Sequence, residues 1–235
     1  MNRVTRFRSV TDLAVHQYAA SIRELFFSSK LRHLFVPYLM TLHSIIRASE
    51  PLLQAAIDEA NRRGAAGDAS CHQLAAYLSH HKQEEANHAE WLLEDIESLG
   101  YSRHEILGRR PSWDVAAMVG SQYYWIHHYH PALFLGYMAI FEAYPLRVAD
   151  IDQFKQITGL PDSAFRTMLL HTELDVQHSA DLYHFLEHFS LPDDIFADLS
   201  VAAITACTYL AKIYQALDTG AAVDNADTAE TEHRL

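Results

Sequence analysis

Apolar side chains recur every three or four residues along most of the chain, while the alternation of a half-buried strand is rare, so the pattern predicts an all-α protein. Glycine and proline fall between the periodic segments and set the expected boundaries. A first amphipathic helix is expected over 11–28 and one or two more over 31–62, with Pro37 and Pro51 as kink or start points. The stretch from Arg62-Arg63-Gly64 to Asp68 reads as a turn. A long helix over 70–99 ends at Gly100. After a polar connection over 101–111, Ser112 is placed to cap a helix over 113–144 that Pro131 bends or divides, with Pro145 just beyond its end. A shorter helix over 149–158 stops at Gly159, Pro161-Asp162 opens the next as far as residue 189, and Pro192-Asp193 opens a last one to residue 217. The tail over 218–235 is acidic, carries no apolar stripe and is expected to be disordered. No repeat or change of composition divides the rest, so residues 1–217 are read as one helical domain.

Three polar interruptions break this pattern on faces that should be buried. On the 70–99 helix, the line through His88 continues through Leu74, Leu78, Leu92, Ile96 and Leu99. His81, seven residues back, and Glu85, three back, share that inward direction, whereas Glu84 lies toward its margin. A buried carboxylate needs a partner, and a metal ion would accommodate both it and an imidazole. The plainer reading is an i, i+3 contact on a half-exposed helix; the same Glu-x-x-His spacing occurs in the tail at Glu230 and His233, where it carries no such meaning. Glu142 is the second interruption, the one charged residue in the run over 134–144, which is otherwise apolar all round like a central helix. It is either a hydrogen-bonded or protonated acid, or a ligand to a cation. The third is His171-Thr172-Glu173-Leu174-Asp175-Val176-Gln177-His178, where His171, Asp175 and His178 stand at i, i+4 and i+7 on a face that runs on into Leu182, Phe185, Leu186 and Phe189. Asp181, His184 and His188 fall about 100° away, toward solvent. A buried hydrogen-bonded network competes with metal ligation as the account of this face.

Composition narrows the chemistry. Sixteen histidines make metal or proton chemistry worth testing, but only two cysteines, Cys71 and Cys207, are present, which leaves neither a disulfide framework nor a thiolate metal site and fits a cytoplasmic protein. A formal charge of -12 disfavours nucleic acid and anionic membrane surfaces as partners. The longest apolar run, over 131–141, is short of the roughly 20 residues of a membrane span. Together the three interruptions offer three imidazoles and three carboxylates: Glu85, His88, Glu142, His171, Asp175 and His178. A nitrogen and oxygen set without sulfur suits iron or manganese, and a bridging carboxylate lets it hold two ions. A ferritin-like bundle would show a second Glu-x-x-His, and here His-x-x-x-Asp-x-x-His stands instead, so that architecture is disfavoured.

The run over 81–100, with Glu90-Trp91-Leu92-Leu93-Glu94-Asp95-Ile96 and Leu99-Gly100, the Glu142 helix, and His171-x-x-x-Asp175-x-x-His178 resemble the haem-oxygenase-like diiron oxidases and oxygenases, over residues 30–215. The resemblance implies a seven-helix haem-oxygenase-like bundle, two Fe2+ ions for which Mn is a substitute, and dioxygen activation. It makes ligands of Glu85 and His88, of Glu142, and of His171, Asp175 and His178. Members place the first glutamate three or seven residues before the histidine; the seven-back residue here is His81, so Glu85 is taken, with Glu84 and His81 as alternatives. No catalytic residue is expected beyond the ligands. Oxidation of an amino acid or related small metabolite, by C–C cleavage or at nitrogen, follows as the expected reaction, with O2 as co-substrate, an external electron donor admitted and a homodimer compatible. Tyr124, His128, Leu135, Met138 and Ala139 share the helical face of Glu142 and, with His81, form the expected substrate lining; plain core packing is the alternative. The cluster His127-His128-Tyr129-His130 is set aside, because consecutive helical residues diverge. The competing functions are a metal-free enzyme of the same fold, of the thiamin-degrading or pyrroloquinoline-quinone-forming kind, and a non-catalytic iron-binding helical protein. A haem-degrading enzyme, with His16 or His33 on the iron, would leave the inner carboxylates unexplained.

Overall fold

The structure, a computed structural model, describes residues 2–28, 30–142 and 144–219. The first helix begins well before the expected residue 11, because the Asn2 side chain accepts the Thr5 N–H at 2.8 Å and caps it. This helix, α1 (Arg3–Phe26), thereby carries Val4 and Phe7 into the core. Residues 31–62 form α2 (Leu31–Ile46) and α3 (Ser49–Ala65). Pro37 lies inside α2 without ending it, and Pro51 occupies the first turn of α3, where a missing N–H leaves no bond unmade. The expected turn around Arg62 to Asp68 is shorter than its composition suggests, since α3 runs on through Gly64.

The single helix expected over 70–99 is two, α4 (Ala69–Glu84) and α5 (His88–Glu97), separated by a turn at Glu85, Ala86 and Asn87. Asn87 takes a left-handed conformation at φ +72°, which asparagine tolerates better than most side chains. Its N–H donates to Glu50 Oε1 at 3.1 Å, so the start of α3 helps to hold the break. The polar connection contains a short helix, α6 (Arg103–Gly108), fixed by a capping box between Ser102 and Glu105. Ser112 caps α7 (Trp113–His128) as expected, accepting the Val115 N–H at 3.2 Å. The chain then breaks at Tyr129 and restarts through a 3-10 turn, Pro131–Leu133, into α8 (Phe134–Glu142). Next, α9 (Val148–Thr158) ends on Gly159 at φ +66°. After a second 3-10 turn, Asp162–Phe165, come α10 (Arg166–His188) and α11 (Asp193–Asp218). The expected disordered tail, from residue 220 on, lies outside the described residues.

At the centre is α8, with eight of its nine residues buried. It is flanked by α11, α10 and α7, while α11 also packs along α1. A Cβ on Gly136 would collide with the Leu199 carbonyl oxygen, so the close crossing of α8 and α11 depends on glycine. Among the described residues α11 is the one helix long and apolar enough, by length and composition, to cross a bilayer, a feature that the 131–141 run obscured in the sequence. Its Ala202, Ala203, Ala206, Leu210 and Ile213 side chains are buried, and Lys212 and Gln215 face outward, so this apolar helix serves the core. Helix α10 packs on both α8 and α5, which brings the three polar interruptions into one neighbourhood.

Candidate metal centre

Glu142 ends α8, 7% exposed, and meets α4 and α10 there. His81 Nε2 lies 3.0 Å from Glu142 Oε1, and the His81 and His178 ring centroids are 4.9 Å apart. One ligating atom from each of His81, Glu142 and His178 falls within 4.8 Å of the other two, all three residues being buried. The second half of the cluster starts at the break between α4 and α5. His88, 1% exposed, is the first residue of α5, and Glu85 sits in the turn before it. The Glu85 carboxylate spans two imidazoles, with Oε2 at 3.2 Å from His88 Nδ1 and Oε1 at 3.4 Å from His178 Nδ1. His171 stands on the far side of His88, ring centroids 4.7 Å apart. Its Nδ1 lies 2.8 Å from the Thr167 carbonyl oxygen, which only accepts, so Nδ1 carries the proton and Nε2 is left with a free lone pair. Glu84 is half-buried and lies near His80 and His81, at 3.4 and 3.8 Å, away from the Glu85 contacts.

Electrostatics show what the cluster lacks. Burial, and then the charges of Glu142 and Glu85, push the Asp175 carboxyl up to about 8. Burial raises Glu142 as well, against its contact with His81. Burial acts to lower His81, yet Glu142 outweighs it and leaves the imidazole raised, so a proton is held between the two. Burial also acts to raise Glu85, and contact with His88 and the charges of His81 and His178 outweigh it, holding that carboxyl below its usual range. Burial lowers His171 and keeps it neutral. Buried polar atoms with no partner remain in the cluster, Nε2 of His88 and Oε2 of Glu142, while Nδ1 of His88 and Nδ1 of His178 have only their contacts with Glu85 at 3.2 and 3.4 Å. Each such atom costs about 1–3 kcal/mol, a burden that divalent cations would remove by coordination. The donor set of imidazole and carboxylate, without sulfur, suits iron or manganese. These residues fit such a cation.

Contacts bring five of the expected ligands together, Glu85, His88, Glu142, His171 and His178, while Asp175 lies one turn before His178 on α10 with no direct contact to them; His81, expected as substrate lining, lies against Glu142 among the five. Two other expected lining residues do not belong there. Tyr124 is 60% exposed and His128 is exposed, because the helical phase that aligned them with Glu142 is interrupted at Tyr129 and Pro131. Leu135, Met138 and Ala139 do share the buried side of α8. His127 is exposed and His130 is turned to a different cluster with Cys71 and Asp68, so the four-residue run around them is no site. The sequence reading missed a cleft of about 220 Å³ lined by Ile46, Arg47, Glu50, Pro51, Glu85 and His88, which reaches the metal cluster from the corner between α2 and α3. No periodic signal marks that corner; the pairing of α2 with α5 that creates it is a tertiary fact.

A family described as iron-containing redox enzymes matches residues 33–194 of the chain. No curated protein matches it significantly in sequence. Among solved structures, a domain of unknown function with a haem oxygenase-like fold from Shewanella denitrificans OS217 superimposes with a TM-score of 0.76 at 16% identity, covering 97% of each chain. A TenA homolog from Pseudomonas syringae pv. tomato strain DC3000 does so with a TM-score of 0.61 at 9% identity, covering 88% of this chain and 92% of its own. The fold is thus the haem-oxygenase-like helical bundle, its long helices interrupted between α4 and α5 and between α7 and α8.

Proposed function

This chain belongs to the family of iron-containing redox enzymes, and from that premise we propose that it is a non-haem diiron oxidase or oxygenase that activates dioxygen to oxidise a small metabolite, an amino acid or amine, by C–C cleavage or nitrogen oxidation. The observation that carries this reading is the convergence of buried imidazoles and carboxylates, His81, Glu85, His88, Glu142 and His178, in which Nε2 of His88 and Oε2 of Glu142 have no partner. Glu85, His88, Glu142, His171, Asp175 and His178 would hold the metals, with His81 against Glu142 as a further ligand or as the group that orients it. Held by these residues, a pair of ferrous ions would supply the electrons for the reduction of dioxygen.

The chain's own residues do the rest. The Thr167 carbonyl fixes the His171 ring so that Nε2 is presented. Glu50 holds the Asn87 turn, and with it the relative placement of Glu85 and His88. The apolar side chains of α8 close the inner side of the site to water, leaving the cleft beside Glu85 and His88 as the approach for substrate. A cytoplasmic setting accords with the two buried free thiols, and an external donor would restore the reduced state.

A metal-free enzyme of the same fold would need a nucleophile if thiamin-degrading, or a cofactor-shaped pocket if pyrroloquinoline-quinone-forming, and the thiols bear on the first. Burial pushes the Cys71 and Cys207 thiols up to about 12, so neither is poised as a thiolate. Oxygen uptake provides the test. The ferrous-loaded protein is expected to consume O2 with one or more members of an amino-acid and amine panel, and the chelated protein is not. Uptake equal in both would refute the reading, and iron binding without uptake across the panel would leave a non-catalytic iron protein in its place.

A further inference from the structure

The cleft beside the metal cluster carries both a cation and an anion that do not neutralise each other. Arg47 and Glu50 both line it, one turn apart across the corner between α2 and α3, together with Glu85 and His88. Among the described residues no carboxylate pairs with the Arg47 guanidinium, whose polar contact is the Leu107 carbonyl oxygen at 3.4 Å. Glu50 accepts the Asn87 N–H through Oε1, and only one of its two oxygens is used in that bond. Ile46 and Pro51 supply the apolar part of the lining. Two opposite charges held apart in one small cleft match a ligand that carries both signs on neighbouring atoms.

We propose that this cleft is the recognition site for a free α-amino acid zwitterion, with Arg47 binding its carboxylate and Glu50 its ammonium group, so that the side chain or α-carbon is presented toward Glu85 and His88. The assignment rests on the oxidase reading and deepens it, because it selects the zwitterion over the amine that the family-level reading leaves open. Arginine is suited to a carboxylate by its two parallel donors. The volume, about 220 Å³, is below the roughly 300–1,000 Å³ of drug-sized ligand sites, which favours a single amino acid over a long acyl chain. Arg47 and Glu50 are thus specificity-determining residues outside the ligand set.

The test is an anaerobic calorimetric titration of the ferrous-loaded and the metal-free protein with the free L-amino acids. It continues with the decarboxylated amine and the N-acetyl derivative of the tightest binder. One or more amino acids are expected to bind, and deleting either charged group should weaken binding about ten-fold or more, the value of one charge-assisted hydrogen bond. Arg47→Gln should abolish the preference for the amino acid over its amine. Glu50→Gln, which keeps an oxygen for the Asn87 N–H, should abolish the preference over the N-acetyl form. Arg47→Lys should fall between Arg47→Gln and the parent, because it keeps charge but loses the planar fork. Melting curves and iron content equal to the parent's verify that the variants are folded. Binding of no amino acid, or unaltered selectivity in Arg47→Gln, overturns the proposal while leaving the metal reading intact. Failure of the parent to load iron overturns the metal reading, and the titration of the metal-free protein still decides the cleft.

Discussion

Two polar clusters in this molecule, one fully buried and one partly, hold similar residues and differ in how fully their lone pairs are used. Asp68, Cys71 and His130 come as close together as His81, Glu142 and His178, and both groups have the residue types of a metal site. The first is complete in itself. Asp68 Oδ1 accepts the Ser70 N–H and hydroxyl at 3.1 and 2.6 Å, and Oδ2 accepts the Cys71 thiol at 3.3 Å. His130 Nδ1 accepts the Ala132 N–H at 3.2 Å, which places the ring proton on Nε2, 3.5 Å from Asp68 Oδ2. That proton occupies the position a metal would need. The second cluster leaves Nε2 of His88 and Oε2 of Glu142 unpartnered in the interior, and gives Nδ1 of His88 and of His178 only the shared Glu85 carboxylate. Proximity of ligating side chains is therefore by itself a poor criterion for a metal centre. The exposed grouping of His184, Glu187 and His188 makes the same point, since water already satisfies it.

The contrast can be broken most severely by iron itself. His178→Ala and Glu142→Ala are each expected to lose at least one of the two bound ions, and to lose the thermal stabilisation that ferrous iron gives the parent; His130→Ala should keep both. Stability of the metal-free protein should respond in the opposite sense. His130→Ala removes a partner from Asp68 and Ala132 and is expected to cost about 2–4 kcal/mol in denaturant unfolding. His88→Leu removes one unpartnered nitrogen together with the contact to Glu85, two opposing effects, and is expected to change metal-free stability by less than about 1 kcal/mol while impairing iron loading. Equal losses in both variants would mean that the two clusters are the same kind of structural network.

Acid sharpens the difference further. Ser70, and then Cys71 and His130 against an opposing effect of burial, hold the Asp68 carboxyl at about 2, below its ordinary 3.8. A carboxyl depressed on folding contributes stability that is present above the unfolded value and is lost as pH falls through the folded one. The parent should therefore lose stability between about pH 4 and pH 2 more steeply than Asp68→Asn, as followed by helical circular dichroism. The smallest expected effect is on thiol chemistry. With Cys71 buried and its thiol raised by burial and by Asp68, alkylation in the folded protein should be slow and should accelerate only on unfolding.

What was legible in the sequence was the direction in which side chains face on long regular helices. His171, Asp175 and His178 lie on one unbroken helix, so their phase carried over into the structure, and Glu142 stood out as the sole charge in an apolar run. Two breaks in the helices limited that reading, one without an obvious signal and one at the expected Pro131. Asn87 ends the continuity between α4 and α5 in a polar stretch without glycine or proline. The break at Tyr129, just before Pro131, carried Tyr124 and His128 out to solvent. Both breaks depend on tertiary partners: Glu50 accepts from the Asn87 N–H, and Arg63 donates to the Tyr129 carbonyl. The position of His81 was legible from its seven-residue spacing to His88, but its contact with Glu142 was not, because a spacing along one helix does not say which other helix lies opposite.

The central claim is that the cluster around His88, Glu142 and His178, and not the one around Asp68 and His130, is a two-metal centre. It is tested most directly by the number of ferrous ions bound per chain after anaerobic loading and desalting, measured for the parent, His178→Ala and His130→Ala. The account predicts two for the parent and for His130→Ala, and fewer for His178→Ala. A parent that retains no iron, or a His178→Ala variant that retains as much as the parent, would contradict it.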